Sequence, residues 1–413
     1  MIGNYPDRMT KRPLDGVRVL DFTRVLSGPH ATRMLCDLGA DVIKVEPPDG
    51  DITRTVNPRA NGLATYFVQQ NVGKRNISLD TTKPEAVDIL LRLAESCDVL
   101  IENFRPGVLE RIGVGYEAVR ARNPGIVYAS ISGYGSTGPW AGRRAYAPVV
   151  GAETGITKEQ GDARDGRYAN DPFSHADVYT ALETASAILA ALFNRSRTGE
   201  GDRIEVSMAE TMLYVNEHAH DQLWDRDVPP EWIRSFGPAA YPVLTAANGE
   251  ALVISGHPAE RGTFERFMKA IGRIDLIDEP RFADVPSRLA HFDDLIAAIA
   301  EWAATAATPQ VIESVMGEFG LATGTLRSVS EVCETEWARE RGVVVGVSDR
   351  GDGVFRLPNS PWRFASADVG VRGEPRYRGE DNRDVLRSLL AMDDDELDRL
   401  EAAGVLSSRL PRR

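Results

Sequence analysis

The sequence predicts an α/β protein with a large, open, mostly parallel sheet and a second, smaller α/β domain. Two observations carry this expectation. Over the first 210 residues, short apolar runs of strand length alternate with stretches of helical periodicity. That β-α-β rhythm belongs to a parallel sheet with helices on its faces. From about residue 221 the chain turns proline-rich, with Pro229, Pro230, Pro238 and Pro242 around Gly237, as a linker does. A length of 413 residues suits two or three domains.

The elements follow in order. Residues 17–21 (VRVLD) read as a strand and residues 31–38 as a helix, closed by Gly39 where a C′ glycine belongs. Residues 41–46 (DVIKVE) and 77–80 read as the next strands. Thr82-Lys83-Pro84-Glu85 is a capping-box pattern with proline in the first turn, opening a helix to about Glu95. Residues 98–102 and 126–132 read as buried strands. After Asp177, the residues Val178, Ala181, Leu182, Ala185, Ile188, Leu189 and Leu192 recur at helical spacing. Residues 204–206 form another strand. In residues 240–330 a strand at 252–254 and helices at 264–271 and 295–303 describe the smaller unit. A strand-rich passage after Val343 and an amphipathic helix over 394–403 close the chain.

Composition narrows the function classes. Apolar residues make up 42% and charged residues 26%, as in globular proteins. No unbroken run of 18 apolar residues occurs, which predicts no membrane span. Residues 1–12 carry no apolar segment of the secretory type. Cys36, Cys97 and Cys333 are scattered without metal-ligand spacing, which fits free thiols and a cytoplasmic location. The net charge, 48 − 61 = −13, argues against a general nucleic-acid surface. A polyanionic ligand would need arginines gathered locally against that background.

Familiar signatures are missing. The first strand-to-helix turn, Val25-Leu26-Ser27-Gly28-Pro29, is no G-x-G-x-x-G fingerprint, and no phosphate-binding G-x-x-x-x-G-K-[ST] or nucleophile-elbow G-x-S-x-G occurs. Gly133 to Gly138 is dense in glycine but reads as a loop by itself. His218 and His220 stand two apart, the wrong spacing for one helix face, and no metal site is expected. Asp177, in Ser174-His175-Ala176-Asp177, sits at the start of the long apolar helix. An aspartate there is ordinarily an N-cap. The same place suits a nucleophile, because the helix dipole favours the ionised carboxylate and free amides can receive an oxyanion.

The motifs, in their order, resemble those of the class III CoA-transferases, the family of formyl-CoA transferase, carnitine CoA-transferase and 2-methylacyl-CoA racemase. The resemblance runs over nearly the whole chain. It is carried by residues 13–23 (PLDGVRVLDFT), Gly28-Pro29, residues 38–46 (LGADVIKVE), Gly73-Lys74-Arg75-Asn76, residues 98–107 (DVLIENFRPG), Ser132-Gly133-Tyr134-Gly135 and residues 177–208. It implies a Rossmann-like large domain that takes in both chain ends, with the smaller domain between them. The implied division is residues 1–220, a linker at 221–240, the small domain at 241–330, a linker at 331–345, and a return at 346–413. It also implies a homodimer of two interlocked, ring-like chains.

By the same resemblance Asp177 is the nucleophile of an acyl exchange through aspartyl-acyl and aspartyl-CoA intermediates, with an acyl-CoA and a carboxylic acid as substrates. Coenzyme A contacts carry over to Arg24, Val25, Leu26 and Ser27, to Leu79, Asp80 and on to Thr82, to Asn103, Phe104, Arg105 and Arg111, and to Arg144, Ala145 and Tyr146. The arginines suit a ligand rich in phosphate. The chain departs from the formyl-CoA transferase pattern at Ala147, where those enzymes carry an acid. It departs again over 225–245, where only Gly237 stands for their glycine-rich loop, and at Pro47, where a base is usual. These departures point away from oxalate or formate. A racemase needs a second base, a histidine in those relatives, and the matching positions hold Ala145 and Tyr146, with His175 as the nearest substitute. A coenzyme A-binding protein without turnover is the reading from another class, and Asp177 weighs against it.

Overall fold

The computed structural model describes residues 11–225 and 237–409. Pro229 and Pro230, and with them residues 226–236 of the expected linker, lie outside the described residues. The chain divides into two compact units, Met1–Glu217 with Trp337–Arg413, and His218–Glu336.

The first part of the first unit contains β1 (Arg18–Asp21), β2 (Asp41–Glu46), β3 (Arg59–Ala60), β4 (Leu63–Ala64), β5 (Arg75–Ser78), β6 (Val99–Glu102), β7 (Val127–Ser132) and β8 (Asp202–Ser207). The short strands β3 and β4 pair only with each other, as a small hairpin. The other six form one sheet in the order β5-β2-β1-β6-β7-β8, and every pairing is parallel. Their sequences explain the burial. Val19 and Leu20, Val42 and Ile43, and Val99 and Leu100 alternate between two cores, as successive strand residues must. On one face lie α3 (Pro84–Glu95), α5 (Tyr116–Arg122) and the C-terminal helices Asn382–Leu390 and Asp394–Ala402. On the other lie α1 (Ser27–Asp37) and α8 (His175–Thr198). The remaining helices of this part are α2 (Thr65–Asn71), α4 (Val108–Ile112), α6 (Ala147–Glu153), α7 (Ile156–Asp162) and α9 (Met208–Tyr214).

From β1 the chain winds outward through β2 to β5, then returns to the other side of β1 with β6. The loops that leave β1 and β6 therefore diverge, opening a crevice at the carboxyl ends of these two strands. Ligands of open parallel sheets bind at such a reversal point.

Three local expectations are corrected. The helix α8 starts at His175, so Asp177 is its third residue, and Ser174 occupies the N-cap without a side-chain bond. The capping box at α3 does not form: Lys83 is the N-cap, and Thr82 instead gives its N–H and hydroxyl to Asp80 at 3.0 and 2.6 Å. A carboxylate two residues upstream outcompetes the helix for those donors. The strand expected at residues 77–80 is β5, Arg75–Ser78.

The second unit holds an antiparallel sheet of β9 (Val243–Thr245), β10 (Ala251–Ile254) and β11 (Thr323–Thr325), with β10 in the centre. The helices Thr263–Ala270, Phe292–Ala303 and Pro309–Glu318 pack on it through Phe264, Phe267, Leu295, Ile299 and Ile312. Back in the first unit, the hairpin of β12 (Val344–Ser348) and β13 (Val354–Pro358) shares a small core with α2.

Candidate active site

The loop from β1 to α1 is held from both sides. Below it, Lys44 on β2 donates to Thr23 O at 2.6 Å and pairs with Asp51 at 3.4 Å. Asp21 at the end of β1 accepts from Thr23 Oγ1, Thr32 Oγ1 and Lys74 Nζ at 2.5, 2.6 and 3.1 Å. Lys44, Asp51, Asp21 and Lys74 are all buried. Burial works to raise the Asp21 carboxyl, but Lys74 and Lys44 outweigh it and hold it below the ordinary value. Burial brings the Lys74 ammonium down to about 8. From the β6 side, Asn103 accepts from Arg24 N at 2.8 Å and donates to Arg24 O at 2.8 Å and Ser27 Oγ at 3.2 Å.

Between these supports Val25 adopts φ +68°. The left-handed region is a real outlier for a β-branched residue and costs about 1–3 kcal/mol. Two close approaches shape this loop and the one that links β7 to α6. A side chain at position 28 would strike Thr23 at 2.2 Å, which is why glycine stands in the first turn of α1, and one at position 133 would strike the Ala145 methyl at 2.2 Å.

Asp177 faces this loop. The Ser27 N–H and hydroxyl and the Ala147 N–H face its carboxylate and act to hold its pKa down. Ser27 opens α1 and Ala147 opens α6, while Asp177 lies in the first turn of α8. Three helix starts thus meet at one carboxyl group, and each favours negative charge. Burial nevertheless wins and pushes the carboxyl up to about 6. The group is ionised at neutral pH yet poorly solvated, the condition of a reactive carboxylate nucleophile. Tyr66 on α2 is near enough for the charges of Asp177 and Asp51 to add to burial in raising its phenol.

A cavity of about 590 Å³ opens beside Asp177. It brings together Arg24, Val25, Ser27, Asn103, Phe104, Arg105, Arg111, Arg144, Ala145 and Tyr146 with Asp177. Leu26 and Leu79 do not line it: Leu26 is buried at the N-cap of α1, and Leu79 is sealed in the apolar core, so neither side chain is free to meet a ligand. Asp80 lies apart as well, its carboxylate engaged by Thr82. The side chain of Asn103 spends both amide hydrogens on the loop and serves as a clamp. Ile52, Ser132, Gly133, Arg143 and Met208 also line the cavity, and sequence reasoning does not single them out as site residues. Arg143 has one signal, its place beside Arg144 in an acidic chain. It lies over Trp140 and Tyr134, at 4.7 and 5.1 Å from the ring centroids, and pairs with Glu153.

Arg105, Arg111 and Arg144 have no ion-pair partner among the described residues. Unpaired guanidinium groups gathered in one cavity of a chain with net charge −13 form a local anion site. His175 points elsewhere: its Nδ1 meets Asp171 at 2.7 Å and its ring stacks on Tyr179, lining a chamber of about 30 Å³. Among the described residues no group of three or more His, Cys, Asp or Glu side chains is placed to hold a metal.

Comparison with known proteins agrees with this geometry. The model of CoA-transferase family III matches residues 14–382. The chain is 34% identical to the probable fatty acyl-CoA transferase Rv3272 of Mycobacterium tuberculosis, over 91% of this chain and 98% of that one. It is 32% identical to formyl-CoA:oxalate CoA-transferase of Rhodopseudomonas palustris, over 96% and 98%. A crystal structure of a CaiB/BaiF family protein from Brucella suis superposes with a TM-score of 0.79 at 31% identity, covering 92% of this chain and all of that one. Relatives named as CoA-transferases make the protein an enzyme whose substrates are CoA thioesters. With the family model matched over residues 14–382 and relatives and a solved structure aligned over nine-tenths or more of its length, the chain belongs to CoA-transferase family III.

Proposed function

We propose that the enzyme moves coenzyme A from an acyl-CoA donor to a carboxylic acid through covalent adducts on Asp177. The observation that carries this reading is the Asp177 carboxylate, held by Ser27 and Ala147 at the wall of an arginine-lined cavity. The carboxylate oxygen attacks the donor's acyl carbon, the C–S bond breaks, and a mixed anhydride forms with CoA thiolate as leaving group. The thiolate attacks the aspartyl carbonyl, releasing the donor acid and leaving aspartyl-CoA. An acceptor carboxylate attacks the same carbonyl, and the thiolate then takes the acceptor's acyl group and frees Asp177. Each step exchanges one activated acyl group for another, so no net proton or electron is consumed. Arg24, Arg105, Arg111 and Arg144 hold the phosphates, while Val25, Ser27, Phe104, Ala145 and Tyr146 border the thioester arm.

Among the described residues the cavity lining includes no histidine, which favours transfer over racemisation, since the latter needs a second base across the α-carbon. The test is a panel of acyl-CoA donors followed by hydroxylamine and mass spectrometry. Modification at Asp177 supports the mechanism. A donor that turns over without ever marking Asp177 removes it.

Self-association completes the proposal. The helix α8 has the length and hydropathy of a membrane span, and its Ala181, Ala185 and Ile188 pack on the sheet. Leu182 and Phe193 on α8, and Leu213 and Tyr214 on α9, remain exposed. Apolar surface of this kind suits a second copy of the chain, as in the interlocked homodimer that the family resemblance implies. The free thiols Cys36, Cys97 and Cys333 fit a cytoplasmic setting.

A further inference from the structure

The peptide between Arg24 and Val25 is gripped at both poles. Its carbonyl oxygen accepts from Asn103 Nδ2 at 2.8 Å, and its N–H, that of Val25, donates to Asp51 Oδ2 at 3.1 Å. The two groups of a trans peptide point in opposite directions, so partners on both sides fix the plane. Val25 sits directly after that plane with φ +68°, and Ser27, two residues on, lines the cavity with Asp177 and turns its donors toward that carboxylate. Asp51 itself is 1% exposed and is not among the residues lining the cavity. Its other contacts explain why it stays put. Oδ1 accepts from Thr53 N and Thr53 Oγ1 at 3.0 and 2.9 Å, and Lys44 lies at 3.4 Å.

We propose that Asp51 is a positioning residue for transfer: through the Val25 N–H it holds the strained loop so that Ser27 meets the Asp177 carboxylate. The strain is the reason a restraint is needed. A β-branched residue left to itself returns to negative φ, which swings the following residues and withdraws Ser27. Glycine at position 25 has no such preference. The dependence on Asp51 therefore belongs to valine at that position. This inference rests on Asp177 as the reacting group.

The experiment is a double-mutant cycle on the full chain, read as kcat and KM for the acyl-CoA donor. Asp51→Ala removes the acceptor and lowers kcat on the order of 10- to 100-fold, the scale of a small misplacement of reacting groups, with KM within about threefold. Asp51→Asn keeps an acceptor for the Val25 N–H and retains most of the rate; it also serves if Asp51→Ala fails to fold beside Lys44. In a Val25→Gly chain the same Asp51 substitutions cost less than about threefold in kcat, because nothing strained is left to restrain. Equal losses in both backgrounds, or a loss wholly in KM, overturn the proposal. Hydroxylamine trapping of the wild type runs alongside. Turnover without a mark on Asp177 refutes the nucleophile, whereas a marked Asp177 with an additive cycle refutes the role of Asp51 alone.

Discussion

Asp177 carries opposed physical demands, and its behaviour follows from their balance. Burial raises its carboxyl to about 6 in spite of the opposing donors of Ser27 and Ala147. The nucleophile must be ionised, so kcat/KM for transfer should fall tenfold per pH unit below about pH 6 and level off above about 7, as a pH–rate profile will show. Stability runs the other way. With the folded pKa above the unfolded value, the aspartate's contribution is fully present below about pH 3.9 and is lost as the pH rises through about 6. Asp177→Asn should therefore abolish transfer while raising the melting temperature, with a gain that is larger at pH 8 than at pH 4. The sequence puts Asp177 at a helix start, where it reads first as a cap. The donors of Ser27 and Ala147 that face it come from segments about 150 and 30 positions away, and no local pattern encodes them.

Among the elements, the end of β1 and the loops around it rest on a buried polar network. Lys74 is fully buried with four partners, Asp21, Pro29 O, Thr32 and Asn71, at 2.7–3.1 Å. Removing one side of such a pair strands the other charge and costs about 3–5 kcal/mol. Lys74→Met should lower the unfolding free energy by about that amount in urea titration. Adding Asp21→Asn should restore part of it, since no unpaired carboxylate is then left. The β-α-β rhythm places the strands of the parallel sheet within about two residues, because a short continuous apolar run reports directly on two-sided burial. Short elements escape it. The helices α4, α6, α7 and α9 have five to seven residues each, too few turns for periodicity to register.

Over the whole molecule, a chain with net charge −13 concentrates unpaired arginines in one cavity. Arg105→Ala and Arg111→Ala should each raise KM for the acyl-CoA donor about tenfold or more, the worth of a charged hydrogen bond, with kcat little changed. Steady-state kinetics at two salt concentrations checks it, as the difference should shrink at high salt. The exposed apolar residues of α8 and α9 predict a dimer in solution, and Phe193→Asp should shift the mass measured by light scattering toward the monomer. The α/β class, the succession of strands and the residue types of the site are legible in the sequence, because periodicity, composition and motif order are properties of neighbours along the chain. Folding in three dimensions is what sets Asp177 where three helix starts meet, makes Leu79 core and Asp80 a turn, and lets Asn103 and Asp51 grip one peptide from opposite sides. Those facts depend on the point where the sheet reverses its winding between β1 and β6, which brings segments far apart in the chain to the same crevice.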